Sequence, residues 1–333
     1  MYNLIKKFVC CPGISGREKK ISALISDEIA PYVDEISTDA MGNLIALKKG
    51  SAPESEKKKI LLCAHMDEIG FLVTFIEDNG MIRFAPIGGI NFTAAAFTEV
   101  VFENGTRGIL VPELDVKPGE ITPAKCYVDI GAASAKEAAR KVTVGDSFAL
   151  VQYTTRLNNN RIVGRPIDDR VGCAVIVDVA RRVADKARDD VYYTFSVQEE
   201  VGCRGAKPLG FSVAPDVAIA FDVTGTGDAV GAKPMAVRLG GGAAIKVKDS
   251  SVICNADLVD ELHRIAADGK IPYQTEVLVV GGTDTSSLQM SGAGMVAGGI
   301  SIPTRFIHSG VEMIDLRDVD ACAELAAAYI LKK

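Results

Sequence analysis

Tryptophan is absent from the 333 residues, and histidine occurs three times only, as His65, His263 and His308. An imidazole-based site therefore has very few candidates. No run of about 18 apolar residues occurs, so no membrane-spanning helix is expected. The first residues, Met1 to Cys11, carry Lys6 and Lys7 but no apolar stretch leading to a small-residue cleavage site, and do not read as a secretory signal. Eight cysteines are scattered with no C-x-x-C pair, which excludes a zinc ribbon and a thioredoxin motif. Reduced thiols in a cytoplasmic protein are the expectation. Cys63 and Cys203 read as small buried apolar residues. Basic residues (37) are outnumbered by acidic ones (43), giving a net charge of −6, which argues against nucleic-acid or anionic-membrane partners.

What is present fits an ordinary globular chain, 48% apolar and 24% charged. At roughly 150 residues per domain the length suggests about two domains. Ser15-Gly16-Arg17-Glu18 has the form of a capping box, opening a helix with Ile21, Leu24, Ile25 and Ile29 on one face. Val33–Lys48 reads as a hairpin, and Ile60–Ala64 as a strand buried on both faces. From 71 to 155 short alternating runs are broken by Gly and Pro, and helical periodicity nearly vanishes. This predicts a smaller β-rich domain inserted into the chain. Strands and helices then alternate again, through a long helix beginning near Asp168 and a closing helix from Asp318 to Leu331 with Asp318 as its N-cap. The fold class expected is α/β, a doubly wound, mostly parallel sheet formed by 1–70 and 156–333, with the β-rich unit inserted at 71–155.

Each apolar strand of the α/β part runs directly into a polar cluster. Ile60–Ala64 leads to His65-Met66-Asp67-Glu68, Val191–Val197 to Gln198-Glu199-Glu200, and Val217–Phe221 to Asp222. Glu276–Val280 leads to Gly281-Gly282-Thr283-Asp284, and Gly294–Ile300 to the segment ending in His308. Open α/β sheets bind ligands beyond the carboxyl ends of their strands. Two histidines and several carboxylates are thus placed on one rim, with Asp168 joining them from a helix start.

As metal ligands, His65, Asp168, Glu200, Asp222 and His308 combine three carboxylates with two neutral imidazoles, for a charge of −3. One divalent ion leaves that set over-negative; two ions and a bridging hydroxide neutralise it. The inventory suits a two-metal site with ions about 3.5–4 Å apart. Zinc is favoured by affinity, with cobalt or manganese as alternatives. Asp67, two residues beyond His65, is suited to accept the imidazole's free N–H. His263 reads as an ordinary polar residue of an amphipathic helix. Gly225-x-Gly227 lacks the spacing of a dinucleotide loop. Gly281-Gly282 reads equally as an anion cradle or a packing turn.

Six segments occur in a recognisable order: His65-Met66-Asp67-Glu68-Ile69-Gly70-Phe71, Asp168-Asp169-Arg170, Gln198-Glu199-Glu200-Val201-Gly202, Asp222-Val223-Thr224, Gly281-Gly282-Thr283-Asp284 and Pro303-Thr304-Arg305-Phe306-Ile307-His308. They resemble the TET-type aminopeptidases, metallopeptidase family forty-two, which include glutamyl and leucyl aminopeptidases and some members described as endoglucanases. The resemblance spans about Gly13 to Val319. It implies His65 and Asp222 as ligands of one metal, Glu200 and His308 as ligands of the other, and Asp168 as the bridge. It also implies Glu199 as general base and Asp67 as the acid supporting His65. The implied activity removes N-terminal residues from short peptides, with a metal-bridging water as nucleophile. The implied architecture is a catalytic α/β domain interrupted by a β-barrel dimerisation domain, assembled into hollow dodecamers. A metal-dependent carboxypeptidase or deacylase is the alternative. Glycoside hydrolysis is disfavoured, because adjacent acids do not flank a bond at about 5–9.5 Å and the histidines would go unused.

Overall fold

The computed structural model describes residues 1–332. Its largest element is an eleven-stranded sheet. The strand Lys59–His65 lies between Asp190–Ser196 and Val217–Thr224, parallel to both, and Val296–Arg305 extends this parallel set beyond Val217–Thr224. Burial on two sides explains the continuous apolar run at its centre. Side chains alternate along a strand. Ile60, Leu62 and Ala64 accordingly pack with the helices Arg170–Val183 and Leu316–Leu331 on one face. Leu61 and Cys63 pack with Leu209, Val213 and Leu288 on the other. The parallel strands and two helical layers are the doubly wound arrangement expected from the sequence.

Antiparallel strands widen the sheet at both sides. The hairpin Glu35–Thr38 and Leu44–Lys48 joins Asp190–Ser196. Across the sheet, Ala243–Lys248 pairs with Val296–Arg305 and carries Tyr273–Val277 beside it. Glu312–Asp315, Arg161–Arg165 and Tyr153–Arg156 continue from the end of Val296–Arg305.

The β-rich texture becomes a closed six-stranded barrel running from Gly70–Ile76 to Ser147–Leu150. Closure removes exposed strand edges. The barrel is filled by Phe71, Phe84, Phe92, Phe102 and Phe148, with neighbouring ring centroids 4.8 to 6.3 Å apart. Such aromatic pairs add about 0.5–1.5 kcal/mol each beyond area burial. The last barrel strand ends at Leu150. Residues 153–155, assigned from the sequence to the inserted unit, belong to the strand Tyr153–Arg156, which pairs with Arg161–Arg165 of the large sheet. At the junction, a Cβ on Gly70 would lie 2.4 Å from Ile14 Cγ2 and 2.9 Å from the Phe148 carbonyl, so only glycine lets the first barrel strand pass this close to the N-terminal segment and the last barrel strand.

Two helix starts differ from expectation. Ser15 and Glu18 form no capping box. The Ser15 hydroxyl donates to Asp67, and the Glu18 carboxylate accepts from Gly16 and Gln198 N–H, so both side chains tie the N-terminal segment to the rim. The closing helix starts at Leu316 and is capped by Asp315, which accepts from the Arg317 N–H. Asp318, fully buried, accepts instead from Gly240 and Gly242 N–H. Among the described residues no helix is long and apolar enough to cross a membrane.

Candidate active site

The carboxyl ends of the parallel strands form one wall of a cleft of about 530 Å³. His65 ends its strand, directly opposite Ser196 in the register. Glu199 and Glu200 follow that neighbouring strand, and Asp222 lies near the end of Val217–Thr224 on the other side. Asp168 precedes the helix capped by Asp169, whose carboxylate accepts from the Gly172 N–H. His308 follows Val296–Arg305 with left-handed backbone, φ 59°. His65, Asp168, Glu199, Glu200, Asp222 and His308 all line the cleft.

Both imidazoles converge on one carboxylate. His65 Nε2 lies 3.1 Å from Asp168 Oδ1, and His308 Nε2 lies 3.3 Å from Asp168 Oδ2. Glu200 Oε2 is 3.1 Å from His308 Nε2, and Asp222 Oδ1 is 3.9 Å from His65 Nε2. The five residues named as metal ligands from the sequence therefore lie together. His263 sits elsewhere, bonded to the Val259 carbonyl and the Thr275 hydroxyl.

The electrostatics of the cluster call for positive charge. Burial opposes protonation of His65, yet hydrogen bonds to Asp168 and Asp67 lift its imidazole well above the usual range. His308 is pushed up to about 11, burial again being outweighed, here by Asp168 and Glu200. Burial, reinforced by Asp168, holds the Asp222 carboxyl well above its ordinary value. Glu200 Oε1 is buried without a hydrogen-bond partner. Carboxylate and imidazole donors that compete for protons, with one buried oxygen unpaired, fit divalent cations in both chemistry and charge.

Asp67 stands beside His65 and also makes contacts that were not read in the sequence. The Nδ1 atom of His65 is 3.2 Å from the Asp67 backbone carbonyl, while the nearer Asp67 carboxylate oxygen is 3.5 Å away. That carboxylate also accepts from the N–H groups of Glu199 and Glu200 at 3.0 and 3.2 Å and from the Ser15 hydroxyl at 2.6 Å. It fixes the turn that presents both glutamates.

The supporting roles of three residues were not read from the sequence. Glu312, 1% exposed, accepts from Ile167 and Asp168 N–H at 2.6 and 3.2 Å through Oε2, and from His308 N–H at 3.0 Å through Oε1. One side chain thereby spaces Asp168 from His308. Burial first and Asp168 second push its carboxyl up to about 7, against the pull of Arg165. Arg170, fully buried, donates to the Phe8, Cys11 and Gly13 carbonyls and anchors the N-terminal segment under the rim. The Cys203 thiol, far from being inert filler, donates to Glu199 Oε1 at 3.1 Å. In sequence, Glu312 is a single acid in a strand and Arg170 an ordinary helix residue, so only the fold shows their partners. Glu312→Ala leaves three backbone N–H groups without their acceptor, each costing about 1–3 kcal/mol if left buried and unpaired. The urea midpoint of unfolding is expected to fall markedly; an unchanged midpoint would refute this clamp.

This arrangement is that of a hydrolase whose chemistry depends on divalent metal, built on the carboxyl edge of an α/β sheet. The chain matches the M42 glutamyl aminopeptidase family over residues 42–325. A lysyl aminopeptidase of Pyrococcus furiosus is 35% identical over 342 residues, covering 99% of this chain and 96% of that one. An aminopeptidase of the archaeon Desulfurococcus kamchatkensis superposes with a TM-score of 0.94 at 36% identity, covering 99% of this chain and 94% of its own. The TET1 peptidase of Pyrococcus horikoshii, reported to assemble into a tetrahedron or a large octahedral shell, superposes at 0.88 with 33% identity, covering 100% and 99%. The chain belongs to the M42 family and is a metallopeptidase-type aminopeptidase.

Proposed function

We propose that this aminopeptidase is binuclear and removes uncharged, apolar N-terminal residues from short peptides. The observation that carries the reading is the convergence of His65 and His308 on the two oxygens of Asp168. His65 and Asp222 would hold one ion, Glu200 and His308 the other, and Asp168 would bridge them. Zinc is the favoured occupant, cobalt or manganese the alternatives. When bound, two divalent ions supply Lewis acidity to the attacking water and the scissile carbonyl. Glu199 Oε1 is held by the Cys203 thiol, which leaves Oε2 to take the proton from the water and return it to the leaving amine. Asp67 holds the backbone of Glu199 and Glu200 in place throughout.

Beyond the charged cluster the cleft is lined by Val223, Leu278, Val280 and Ile307 together with Thr224, Cys203 and glycines, and among the described residues no lysine or arginine lines it. Arg305 is paired with Asp228 at 2.7 Å, and Lys246 with Glu276 at 2.6 Å. An acidic substrate side chain would find no cation there, and a basic one no carboxylate outside the cluster. Exposed Phe75, Phe97, Ile109 and Leu114 on the barrel suit burial against other copies, in line with dimers that build a dodecamer. A cytoplasmic location accords with eight free cysteines.

The test is a panel of aminoacyl-anilides with native, chelated and metal-reconstituted enzyme. Chelation is expected to abolish hydrolysis and divalent metal to restore it. The leucyl substrate should exceed the glutamyl and lysyl ones by at least about tenfold in kcat/KM, the order set by about 1–3 kcal/mol of side-chain discrimination. Cleavage of N-acetylated peptides in preference to free ones would point to a carboxypeptidase or deacylase instead, and full activity after exhaustive chelation would defeat the metal reading.

A further inference from the structure

Glu199 and Cys203, which line the cleft, and the buried Asp284 make up a second donor group that the proposed metal pair does not use. Glu199, Cys203 and Asp284 each offer one ligand atom, and these atoms lie within 4.8 Å of one another. Two of them come from a single tight turn. The Glu199 carbonyl accepts from Gly202 and Cys203 N–H at 2.8 Å each. Left-handed backbone at Cys203, φ 51°, then turns the thiol back onto the Glu199 carboxylate. Asp284 arrives from another part of the fold, opening the short helix Asp284–Gln289. Its side chain is buried, 2% exposed. Asp284 Oδ2 accepts from the Ser196 hydroxyl and the Cys63 thiol, whereas Oδ1 is buried with no partner at all. A buried carboxylate oxygen without a donor is expensive, so Oδ1 has unused capacity for a cation.

We propose that Glu199, Cys203 and Asp284 form a third cation site, distinct from the His65–Asp168–His308 cluster, and that a thiophilic divalent ion such as excess zinc or cadmium bound there inhibits the enzyme. One sulfur and two carboxylate oxygens select soft and borderline ions over magnesium, calcium or manganese. Ligand bonds of about 2.0–2.3 Å around a tetrahedral ion place donor atoms roughly 3.3–3.8 Å apart, inside the 4.8 Å that bounds these three atoms. On binding, the S–H bond breaks, its proton goes to solvent and a sulfur–metal bond forms; nothing is oxidised or reduced. Binding stands on this donor geometry alone. Inhibition rests on the reading of Glu199 as general base, since a carboxylate engaged by a cation cannot accept the proton of water.

The test titrates the metal-loaded enzyme with cadmium chloride, following the ultraviolet sulfur-to-cadmium charge-transfer band and peptidase activity together. Displacement of ions from the imidazole–carboxylate cluster gives no such band, because that cluster has no sulfur. The expected result is one band-forming cadmium per chain, with inhibition that follows the band. Cys203→Ser retains a hydroxyl beside Glu199 and removes the sulfur. It should lose the band and raise the inhibitory cadmium concentration at least about tenfold. Asp284→Asn, a second variant, should weaken both effects, while Cys10→Ser, at an exposed cysteine, should leave both as in the parent. A wild-type enzyme without the band, or a Cys203→Ser enzyme that keeps it, overturns the site. A band lost in Cys203→Ser, combined with wild-type activity that survives saturating cadmium, leaves the site standing and overturns Glu199 as the base.

Discussion

Glu199→Gln is expected to lower kcat by about 10²–10⁴-fold, the range supplied by a positioned general acid–base, while the bound metal content stays at the wild-type level. The amide has nearly the same shape as the carboxylate. It can still accept the Cys203 thiol at Oε1, where the wild-type contact is 3.1 Å. The backbone N–H bonds from residues 199 and 200 to Asp67 do not involve the side chain, so the turn keeps its form and Glu200 keeps its place beside His308. What the amide lacks is a basic lone pair that can hold a proton between water and leaving amine. The effect therefore falls on kcat with KM little changed, the pattern of a group that acts in the transition state rather than in binding. Steady-state kinetics on a leucyl-anilide together with elemental analysis of the purified variant decides the matter. Turnover within a few-fold of wild type would place the base elsewhere, and loss of metal would make Glu199 a ligand.

The rim was legible because of how a parallel sheet is built. A strand buried on both faces must be apolar until it leaves the sheet, so the first polar residues after Ala64, Val197 and Phe221 mark the carboxyl edge, and the edges of adjacent parallel strands are neighbours in space. His65, Glu200 and Asp222 could be grouped for that reason alone. Longer-range choices left no such mark. Ser15 and Glu18 satisfy a local capping pattern, but the buried Asp67 carboxylate and the Gln198 N–H compete for them and win. Asp318 resembles an N-cap, yet two glycine N–H groups 78 and 76 residues away claim it and Asp315 takes the cap. The insert was drawn to 155 because its alternating texture carries on to that point, while the partner of Tyr153–Arg156 lies beyond a turn in the large sheet. Cys203 read as filler since a single thiol says nothing about the acid it will face.

Asp168→Asn should weaken metal binding by more than about 100-fold, above the roughly 10–100-fold that loss of a mere supporting partner costs. Asp168 lies within 3.3 Å of both imidazoles, using a different oxygen for each. An asparagine keeps one oxygen acceptor and replaces the other with an NH₂, which has no lone pair to offer a cation. Whichever way the amide turns, one half of the bridge is lost. The consequence can be separated from any effect on folding. At a metal concentration 100 times the wild-type dissociation constant, binding stabilises the folded enzyme by about 2.7 kcal/mol, and a 100-fold weaker variant would gain only about 0.4 kcal/mol at that same concentration. The metal-free variant, by contrast, should melt close to the metal-free parent. It loses the pairing of Asp168 with His65 and His308, but it also relieves the repulsion that adds to burial in holding up Asp222, Asp169, Glu200 and Glu312. Thermal melts with and without added zinc, run beside the anilide assay, read both effects. A variant that is stabilised by zinc as strongly as the parent and retains its activity would remove Asp168 from the bridge.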